Sequence, residues 1–463
     1  MQRLLAIALL TVRAAFRYRL VVVLAALLVG GVVVLPIVIK DDGTARGFTQ
    51  IVLTYTLALI TFLLGFVTVW LGCGTLAKEV EEAQLQMVVV KPISRWQIWL
   101  GKWVGIMTLN AILLIVSGAA VYFLMTWKAR RLPDKEQKVL WSEVLVARGT
   151  VREPIPDYKT DAERILQERL KSSAGQQVTN IAALRTYAQE RVKAEYQLVR
   201  PDFMRQWEID MSRQMSNLRD VPMHIRVKFN VAMENTANQY VALIEVGDPA
   251  DGITRVWRAP EMLLSADTYH EIPIPANLFN AKGVLKVRFM NRNDTAVLFP
   301  LEDGMEVLYR QGGFFGNFIR GIGIIFCWLG FLAALGLMSA SFLSFNVAAF
   351  FSLGILMLGI SSGTLSQIVE EGGVTGVNHE TGFTDNPNII DKVAVPVAKG
   401  MLAVLGMVKG FSPIDSLSTG RTIGWNDLGR AVFQIWIVMA GLLALIGITA
   451  FNRRELATAQ GTS

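Results

Sequence analysis

The sequence predicts an α-helical polytopic membrane protein with about six transmembrane helices and an extracytoplasmic α+β insert that contains a β-sandwich. Hydrophobic residues make up 52% of the 463 residues and charged residues only 18%, against about 25% charged in soluble domains. Most charged residues lie in residues 128–310, between two long apolar blocks. Within that insert the spacing of apolar residues changes from a helical period to alternation. These observations together predict the fold class.

The chain divides into consecutive segments on this basis. Residues 1–126 hold an N-terminal amphipathic helix, transmembrane helices one to three and a cytoplasmic elbow. Residues 127–311 form the extracytoplasmic domain, with a helical part at 160–219 and a β-sandwich at 222–310. Residues 312–463 hold transmembrane helices four to six, an external re-entrant loop and a cytoplasmic tail.

The transmembrane helices are predicted from length and hydropathy. A helix needs about 20 mainly apolar residues to cross a bilayer. The segments that qualify are 20–39, 50–74, 103–126, 315–337, 345–363 and 431–451. The first of them resembles a signal peptide, but it is long and offers no small-residue cleavage site, so we expect it to be retained.

The first 19 residues have the pattern of an amphipathic helix. The basic residues are Arg3, Arg13, Arg17 and Arg19, and the apolar ones are Leu4, Leu5, Leu9, Leu10 and Phe16. Such a helix lies in the headgroup layer of a membrane. The alternative is a plain positively charged flank of the first span.

The distribution of basic residues predicts the orientation, because Lys and Arg concentrate in cytoplasmic loops. They lie in the N-terminal segment, in the loop after the second span and in the tail, at Arg453 and Arg454. An even number of spans then places both termini in the cytoplasm and the insert outside. Lys128, Arg130 and Arg131 oppose this orientation, but long domains translocate largely regardless of charge.

The insert changes character along its length. Thr160 and Glu163 have the spacing of a capping box, and Pro201 suits the first turn of another helix. Alternation then predicts strands at His224–Phe229, Tyr240–Val246 and Val284–Phe289, with an earlier strand at Trp141–Val146. Trp257, Tyr269 and His270 either line a carbohydrate platform or are core and edge aromatics of the sheets.

The loop before the last span contains an apolar stretch at 393–409, interrupted by Pro396 and Gly400. We expect a re-entrant or interfacial helix, because irregular backbone at membrane depth must be buried by protein. The alternative is a seventh full span, which would place Arg453 and Arg454 outside.

The sequence carries no motif for several kinds of chemistry. It has no G-x-x-x-x-G-K-[ST] loop, so the chain is not expected to hydrolyse ATP, and no G-x-S-x-G elbow. Its three histidines have no metal-ligand spacing, and the net charge of +7 has no basic stripe to bind nucleic acid. We therefore expect a protein that is not an enzyme and that has no cofactor, metal or nucleic-acid partner.

The loop between the second and third spans is the most informative segment. An acidic stretch leads to a break at Lys91-Pro92, and a second helix then enters the membrane. Pro92 disfavours helix at Lys91, and Ser94 suits the cap of the helix that follows. We call residues 79–102 the elbow; its candidate site residues are Glu79, Glu81, Glu82, Lys91, Pro92, Ser94, Arg95, Gly101 and Lys102.

On these residues the chain resembles the membrane subunits of the second class of ABC permeases, the six-span exporter-like permeases. In that family an acidic stretch, a "KPISR"-like turn and a "GK" at the next span form the coupling helix region. The resemblance covers residues 1–126 and 315–455, and the large insert departs from it. A turn of this kind is also common at ordinary membrane surfaces.

The resemblance implies a permease of a bacterial cytoplasmic (inner) membrane that moves a substrate, by export, with a separate ABC ATPase subunit as partner. It also implies a second permease subunit, identical or different, and contacts with membrane lipids. The elbow would then be the ATPase-coupling site. The alternative is a membrane-anchored envelope scaffold or receptor that acts through its β-sandwich and needs no acidic elbow.

Overall fold

The computed structural model describes most of the chain. The described residues are 2–17, 20–38, 44–82, 93–172, 181–215, 218, 220–233, 238–248, 256–360, 368–369, 389–406 and 411–454. Lys91 and Pro92 of the elbow lie outside these ranges.

The chain folds into two compact units. One unit comprises residues 1–147 with 312–463, and the other comprises residues 148–311. The sequence analysis places the first boundary at residue 127, about 20 residues earlier. The difference arises because Glu136 accepts a hydrogen bond from Ala45 N–H at 2.8 Å, and Leu140 and Leu145 belong to the core of the helical unit.

The described residues of the helical unit lie mainly in helices. Its helices are α1 (Gln2–Arg17), α2 (Leu20–Val38), α3 (Ala45–Glu81), α4 (Arg95–Ala129), α5 (Asp134–Val139), α8 (Phe314–Ala340), α9 (Phe345–Ile360), α10 (Ile389–Gly406), α11 (Pro413–Ser418), α12 (Trp425–Ala431) and α13 (Gly441–Arg453). The two π-helical segments are Leu140–Val144 and Val432–Ala440, and the second joins α12 to α13. Helices α6 and α7 belong to the other unit.

Four helical stretches of the described residues are long and apolar enough to cross a membrane. They are Gly47–Glu81, Arg95–Ala129, Phe314–Ala340 and Trp425–Arg453. Shorter apolar helical stretches, Val22–Leu35 and Phe345–Gly359, fall within the predicted first and fifth spans. The chain is therefore a helical membrane protein with a separate sheet domain, and the count of six spans stays a prediction.

Two glycines lie where helices α3 and α8 cross in the helical unit. A Cβ on Gly72 of α3 would lie 3.1 Å from the Gly336 Cα of α8, and a Cβ on Gly336 would lie 2.8 Å from the Val69 carbonyl oxygen. Small residues at such a crossing let two membrane helices pack by their backbones. Gly336 is thus part of helix α8, which continues to Ala340, beyond the predicted end of the fourth span at residue 337.

In its described residues the sheet unit contains a helical hairpin and twelve strands, of which β1 begins just before the unit and β12 ends just after it. The hairpin is α6 (Tyr158–Ser172) and α7 (Ile181–Gln197). The strands are β1 (Val146–Val151), β2 (Leu198–Val199), β3 (Met204–Asp210), β4 (Met223–Val227), β5 (Asn230–Val231), β6 (Tyr240–Val246), β7 (Trp257–Arg258), β8 (Met262–Leu264), β9 (His270–Ile274), β10 (Val284–Asn291), β11 (Val297–Leu298) and β12 (Met305–Gly313).

These strands form a four-stranded sheet in the order β1-β12-β4-β9 and a larger sheet in the order β3-β10-β6-β7, with β8 also on β6. A small sheet has the order β2-β11-β5. One hydrophobic core takes alternate residues from both larger sheets, among them Ile225 and Val227 of β4 and Ile244 of β6. Burial of alternate side chains explains why the sequence alternates in these strands.

Three local predictions in the insert are wrong. The helix expected after Pro201 is the strand β3, in which Trp207 and Ile209 alternate with exposed residues. The early strand begins at Val146, because the preceding residues form a π-helical turn. Helix α6 is capped by Asp157, whose carboxylate accepts from Thr160 N–H at 3.3 Å, so no capping box begins at Thr160.

The hydrogen bonds of the Asp157 cap also affect the pKa of its carboxyl group. The Asp157 carboxylate accepts hydrogen bonds from the Thr160 hydroxyl and backbone, and these bonds lower the pKa of Asp157 below its usual value. A carboxylate at this place also interacts favourably with the positive end of the helix dipole.

Candidate functional site at the elbow end

The predicted elbow residues lie where several helices of the helical unit end or begin. α3 ends at Glu81 and α4 begins at Arg95, and hydrogen bonds connect them to the start of α9 and the end of α13, next to which Arg454 donates to the end of α8. We call this the elbow end of the helical unit. Each helix terminus leaves backbone groups without partners inside the helix. The charged elbow residues supply partners for several of them.

Lys102 is the buried cation of the elbow end. Its ammonium lies 2.6 Å from the Glu79 carboxylate and donates to the Thr75 carbonyl at 2.7 Å. The Lys102 side chain is 4% exposed, while the Glu79 side chain is 34% exposed. A buried charge is tolerated only when it is paired and hydrogen-bonded. Glu79 and Thr75 therefore make the burial of Lys102 possible, and the pair joins α3 to α4.

Arg95 connects the start of α4 to the end of α13. Its Nη1 donates to the carbonyl oxygens of Phe451, Asn452 and Arg454 at 2.7, 2.9 and 2.8 Å. The guanidinium also lies 5.8 Å from the centroid of the Phe451 ring. A cation at a helix C-terminus satisfies carbonyls that have no partner in the helix and interacts favourably with the helix dipole.

Arg454 repeats this arrangement at the end of α8. Its Nη1 donates to the Ala340 carbonyl at 2.9 Å. Burial lowers the pKa of the Arg454 guanidinium, and the charge of Glu81 opposes that shift. In the sequence, Arg453 and Arg454 indicated only the orientation of the chain, and this contact gave no signal because Ala340 lies 114 residues earlier.

Glu81 holds the start of α9. Its carboxylate accepts from the backbone N–H of Phe345 at 2.7 Å. Lys78, one turn earlier in α3, lies 4.5 Å from the centroid of the Phe345 ring. A carboxylate at the first turn of a helix caps a free N–H and is stabilised by the helix dipole. Glu81 is therefore a structural cap in addition to any contact with a partner.

Helix α1 packs against α4 at two glycines, Gly101 and Gly105. A Cβ on Gly101 would lie 2.8 Å from the Ile7 side chain, and a Cβ on Gly105 would lie 2.7 Å from that of Thr11. Ile7 and Thr11 are buried, whereas Leu9 on another side of α1 is 51% exposed. The helix predicted at 1–19 thus forms with one face on α4 and an apolar surface left exposed.

Replacing Gly105 by leucine is expected to displace α1. The new side chain would overlap Thr11 and the Ala8 carbonyl, and overpacking of this kind costs about 1–3 kcal/mol. Trypsin should then cleave after the exposed Arg13 faster than in the wild type. Gly354→Leu is the matched control, because a Cβ there meets nothing within 4 Å. Equal cleavage of the two variants would contradict this packing role.

The elbow residues Ser94, Glu82 and Trp96 have exposed side chains. Ser94 is at the N-cap position of α4, but its side chain makes no capping hydrogen bond, contrary to the sequence prediction. Glu82 lies at the end of α3 with an exposed side chain, and Trp96 is 46% exposed in the first turn of α4. The exposed side chains of the described elbow are therefore those of Glu81, Glu82, Ser94 and Trp96.

Two tryptophans in the interior of the helical unit are functional candidates that the sequence analysis missed. The Trp103 indole N–H donates to the Gly330 carbonyl, and that of Trp436 donates to the Cys327 carbonyl, both at 2.9 Å. Their rings meet edge to face with centroids 5.6 Å apart. Trp436 lies in the π-helical segment Val432–Ala440, and such segments are frequent at functional sites. Because Trp103 and Trp436 are far apart in the sequence, no sequence pattern indicated that their rings meet.

Trp257, Tyr269 and His270, for which the sequence left a carbohydrate platform and sheet aromatics as alternatives, make contacts within the sheet unit. Tyr269 lies over the Arg226 guanidinium, 4.8 Å from ring centroid to Cζ, and its hydroxyl donates to Asp303 at 2.6 Å. His270 Nε2 is 2.8 Å from the Ser265 carbonyl oxygen. Trp257 packs against the core. These aromatics belong to the sheets, which is the alternative given above.

The four-stranded sheet contains a buried network of charges. Glu306 is fully buried and accepts from Arg226 at 2.9 Å and from Arg152 at 3.1 Å. Arg148 binds both oxygens of Glu271, at 2.7 and 3.2 Å. Arg226 and Glu306 lie directly opposite each other on the paired strands β4 and β12, where opposite charges stabilise a sheet.

Within the described ranges, no group of His, Cys, Asp and Glu is arranged to hold a metal ion. Comparison with protein-family models, with curated proteins and with solved structures finds no match to this chain.

Proposed function

We propose that the chain is the permease subunit of an ABC transporter, with six spans, both termini in the cytoplasm and a separate ATPase subunit that binds at the elbow. The direction of transport is outward, on the resemblance given above. The observation that supports the proposal is the attachment of the elbow to the start of α9 and the end of α13 and, through Arg454, to the end of α8. Coupling of ATP hydrolysis to transport requires a segment that the ATPase subunit displaces and whose displacement is transmitted to the transmembrane helices.

The contacts of the elbow meet that requirement. Arg95 is bonded to the end of α13, Glu81 to the start of α9 and Lys102 to the end of α3. Arg454 then connects α13 to the end of α8. A displacement of the α3–α4 connection therefore acts on α8, α9 and α13 through hydrogen bonds to charged groups, which are about twice as strong as neutral ones.

The positions of the acidic residues also bear on the source of energy for transport. In the four apolar stretches named above, the carboxylates are Glu79, Glu81 and Asp427, and all lie in terminal turns. Transporters driven by protons or sodium ions use acidic residues inside the membrane. A protein that lacks them in its long spans needs another source, which a partner ATPase supplies.

The test is copurification of the tagged full-length protein from its native membrane, with identification of bound proteins by mass spectrometry. We expect a P-loop ATPase. Trp96→Ala is expected to reduce its recovery strongly, because truncation of an interface tryptophan commonly costs about 2 kcal/mol or more, roughly a thirtyfold loss in affinity. Glu82→Lys should reduce recovery as well, by charge reversal at the same surface.

Trp127→Ala is the matched control. Trp127 is 43% exposed, close to the 46% of Trp96, and lies at the opposite end of the same helix. It should leave ATPase recovery unchanged. Equal recovery with all three variants would remove the elbow as the docking surface. Recovery of no ATPase with the wild type would instead favour the membrane-anchored scaffold acting through its sheet unit.

A further inference from the structure

Strand β3 lies at an edge of the larger sheet in the sheet unit. In the described part of the chain, β3 pairs with β10 alone and ends its sheet. Asn291 N–H donates to the Phe203 carbonyl, so the odd-numbered residues face β10. Alternate residues of an antiparallel pair point their N–H and C=O groups away from the partner. Met204, Gln206 and Glu208 therefore present theirs at the free edge.

A side chain occupies one of these edge positions. Glu208 N–H donates to the Glu153 carboxylate at 3.2 Å. This carboxylate oxygen stands where the carbonyl oxygen of a neighbouring strand would lie. Glu153 belongs to the segment Glu153-Pro154-Ile155-Pro156, which has no regular structure. Pro154 and Pro156 have no N–H, so this segment cannot continue the ladder.

An open groove follows the same edge. Its volume is about 900 Å³, within the range of about 300–1,000 Å³ found for ligand pockets. The segment 153–156 forms one wall, and residues 195–200, at the end of α7 and in β2, form another. Between them lie residues 203–208 with Phe203 and Met204, which are 61% and 57% exposed. The groove thus combines free strand hydrogen bonds with apolar side chains.

We propose that this groove binds an extended peptide segment of another protein, which adds as a strand to the free edge of β3. Strand addition derives affinity from main-chain hydrogen bonds and specificity from contacts of alternate side chains. Apolar side chains of the peptide would contact Phe203 and Met204. The two walls leave room for a single added strand along the edge. A second copy of this chain would bring its own two walls against them, which disfavours pairing of two copies at this edge. The proposal does not depend on transport.

The test uses the full-length protein in lipid nanodiscs and a displayed library of random peptides, from which the tightest binder is synthesised. Gln206→Pro removes an outward N–H, and proline is tolerated on an edge strand whose N–H faces solvent. It should weaken peptide binding at least about tenfold, a change of about 1.4 kcal/mol. Gln206→Ala keeps the N–H and should change the affinity less than about twofold. Glu153→Ala frees the Glu208 N–H and should tighten binding.

Hydrogen exchange supplies an independent measurement on the wild type. Bound peptide should slow amide exchange at Met204, Gln206 and Glu208, and this holds even if Gln206→Pro fails to fold. The proposal is overturned if no peptide binds, or if bound peptide leaves these amides unprotected. Equal loss of affinity in Gln206→Pro and Gln206→Ala also overturns it. So does a change of oligomeric state in Gln206→Pro, because the edge would then pair with a second copy.

Discussion

Replacing Glu79 by alanine is expected to destabilise the helical unit by about 3–5 kcal/mol, the usual effect of removing one partner from a buried ion pair. The loss is large because Lys102 keeps its charge and its side chain is only 4% exposed. The Thr75 carbonyl remains as a hydrogen-bond acceptor for the Lys102 ammonium. Titration with SDS in mixed micelles measures the free energy of unfolding.

Lys102→Met is the matched control, and it should behave differently from its partner. Glu79 is 34% exposed, so water solvates its carboxylate after the lysine is removed. The expected loss is about 1 kcal/mol or less. The double variant Glu79→Leu, Lys102→Met should recover most of the stability, since apolar replacements of buried pairs are often neutral. Equal losses in the two single variants would show that Lys102 reaches water.

Replacing Glu306 by alanine is expected to destabilise the sheet unit by about 3–5 kcal/mol. Glu306 is fully buried, and its removal takes the nearest carboxylate from Arg226, whose side chain is 5% exposed. Glu271 stays 3.7 Å from the Arg226 guanidinium and offsets part of the loss. Hydrogen exchange in the full chain should show faster exchange in β4 and β12, the strands that carry this pair.

Arg152→Ala is the control for Glu306. The Arg152 side chain is 36% exposed, so its ion pair with Glu306 is partly solvated and should contribute about 0–1 kcal/mol. The Arg226–Glu306 pair remains in that variant. If Arg152→Ala and Glu306→Ala have the same effect, the network is held from its exposed side, and the burial of Arg226 matters little.

The regular strands were predictable because burial and alternation coincide in them. Tyr240–Val246 and Val284–Phe289 alternate in sequence and lie in β6 and β10. The strand β3 carries the same signal, with Trp207 and Ile209 buried. The sequence analysis gave more weight to Pro201, a local helix-start signal, although alternation over several residues reports the environment of the whole sheet.

The elbow shows a different limit. The residue types at 79–102 predicted a charged surface, but the partners of these charges are distant in sequence. Arg95 donates to the carbonyl of Phe451, 356 residues away. Backbone carbonyls at a helix end have no residue signature, so a sequence cannot reveal which side chain caps them. Charges expected to face a partner protein were therefore found to hold helix ends together.

The pairing of β1 with β12 brings the entry and exit of the inserted segment side by side. The helical unit ends its first part at Ala147 and resumes at Gly312, and a Cβ on Gly312 would lie 4.0 Å from that of Ala147. Adjacent ends are the condition under which domain insertion is tolerated. The two ends of the sheet unit are thus close enough for the whole unit to be removed or exchanged as one segment, with the two parts of the helical unit rejoined at Ala147 and Gly312.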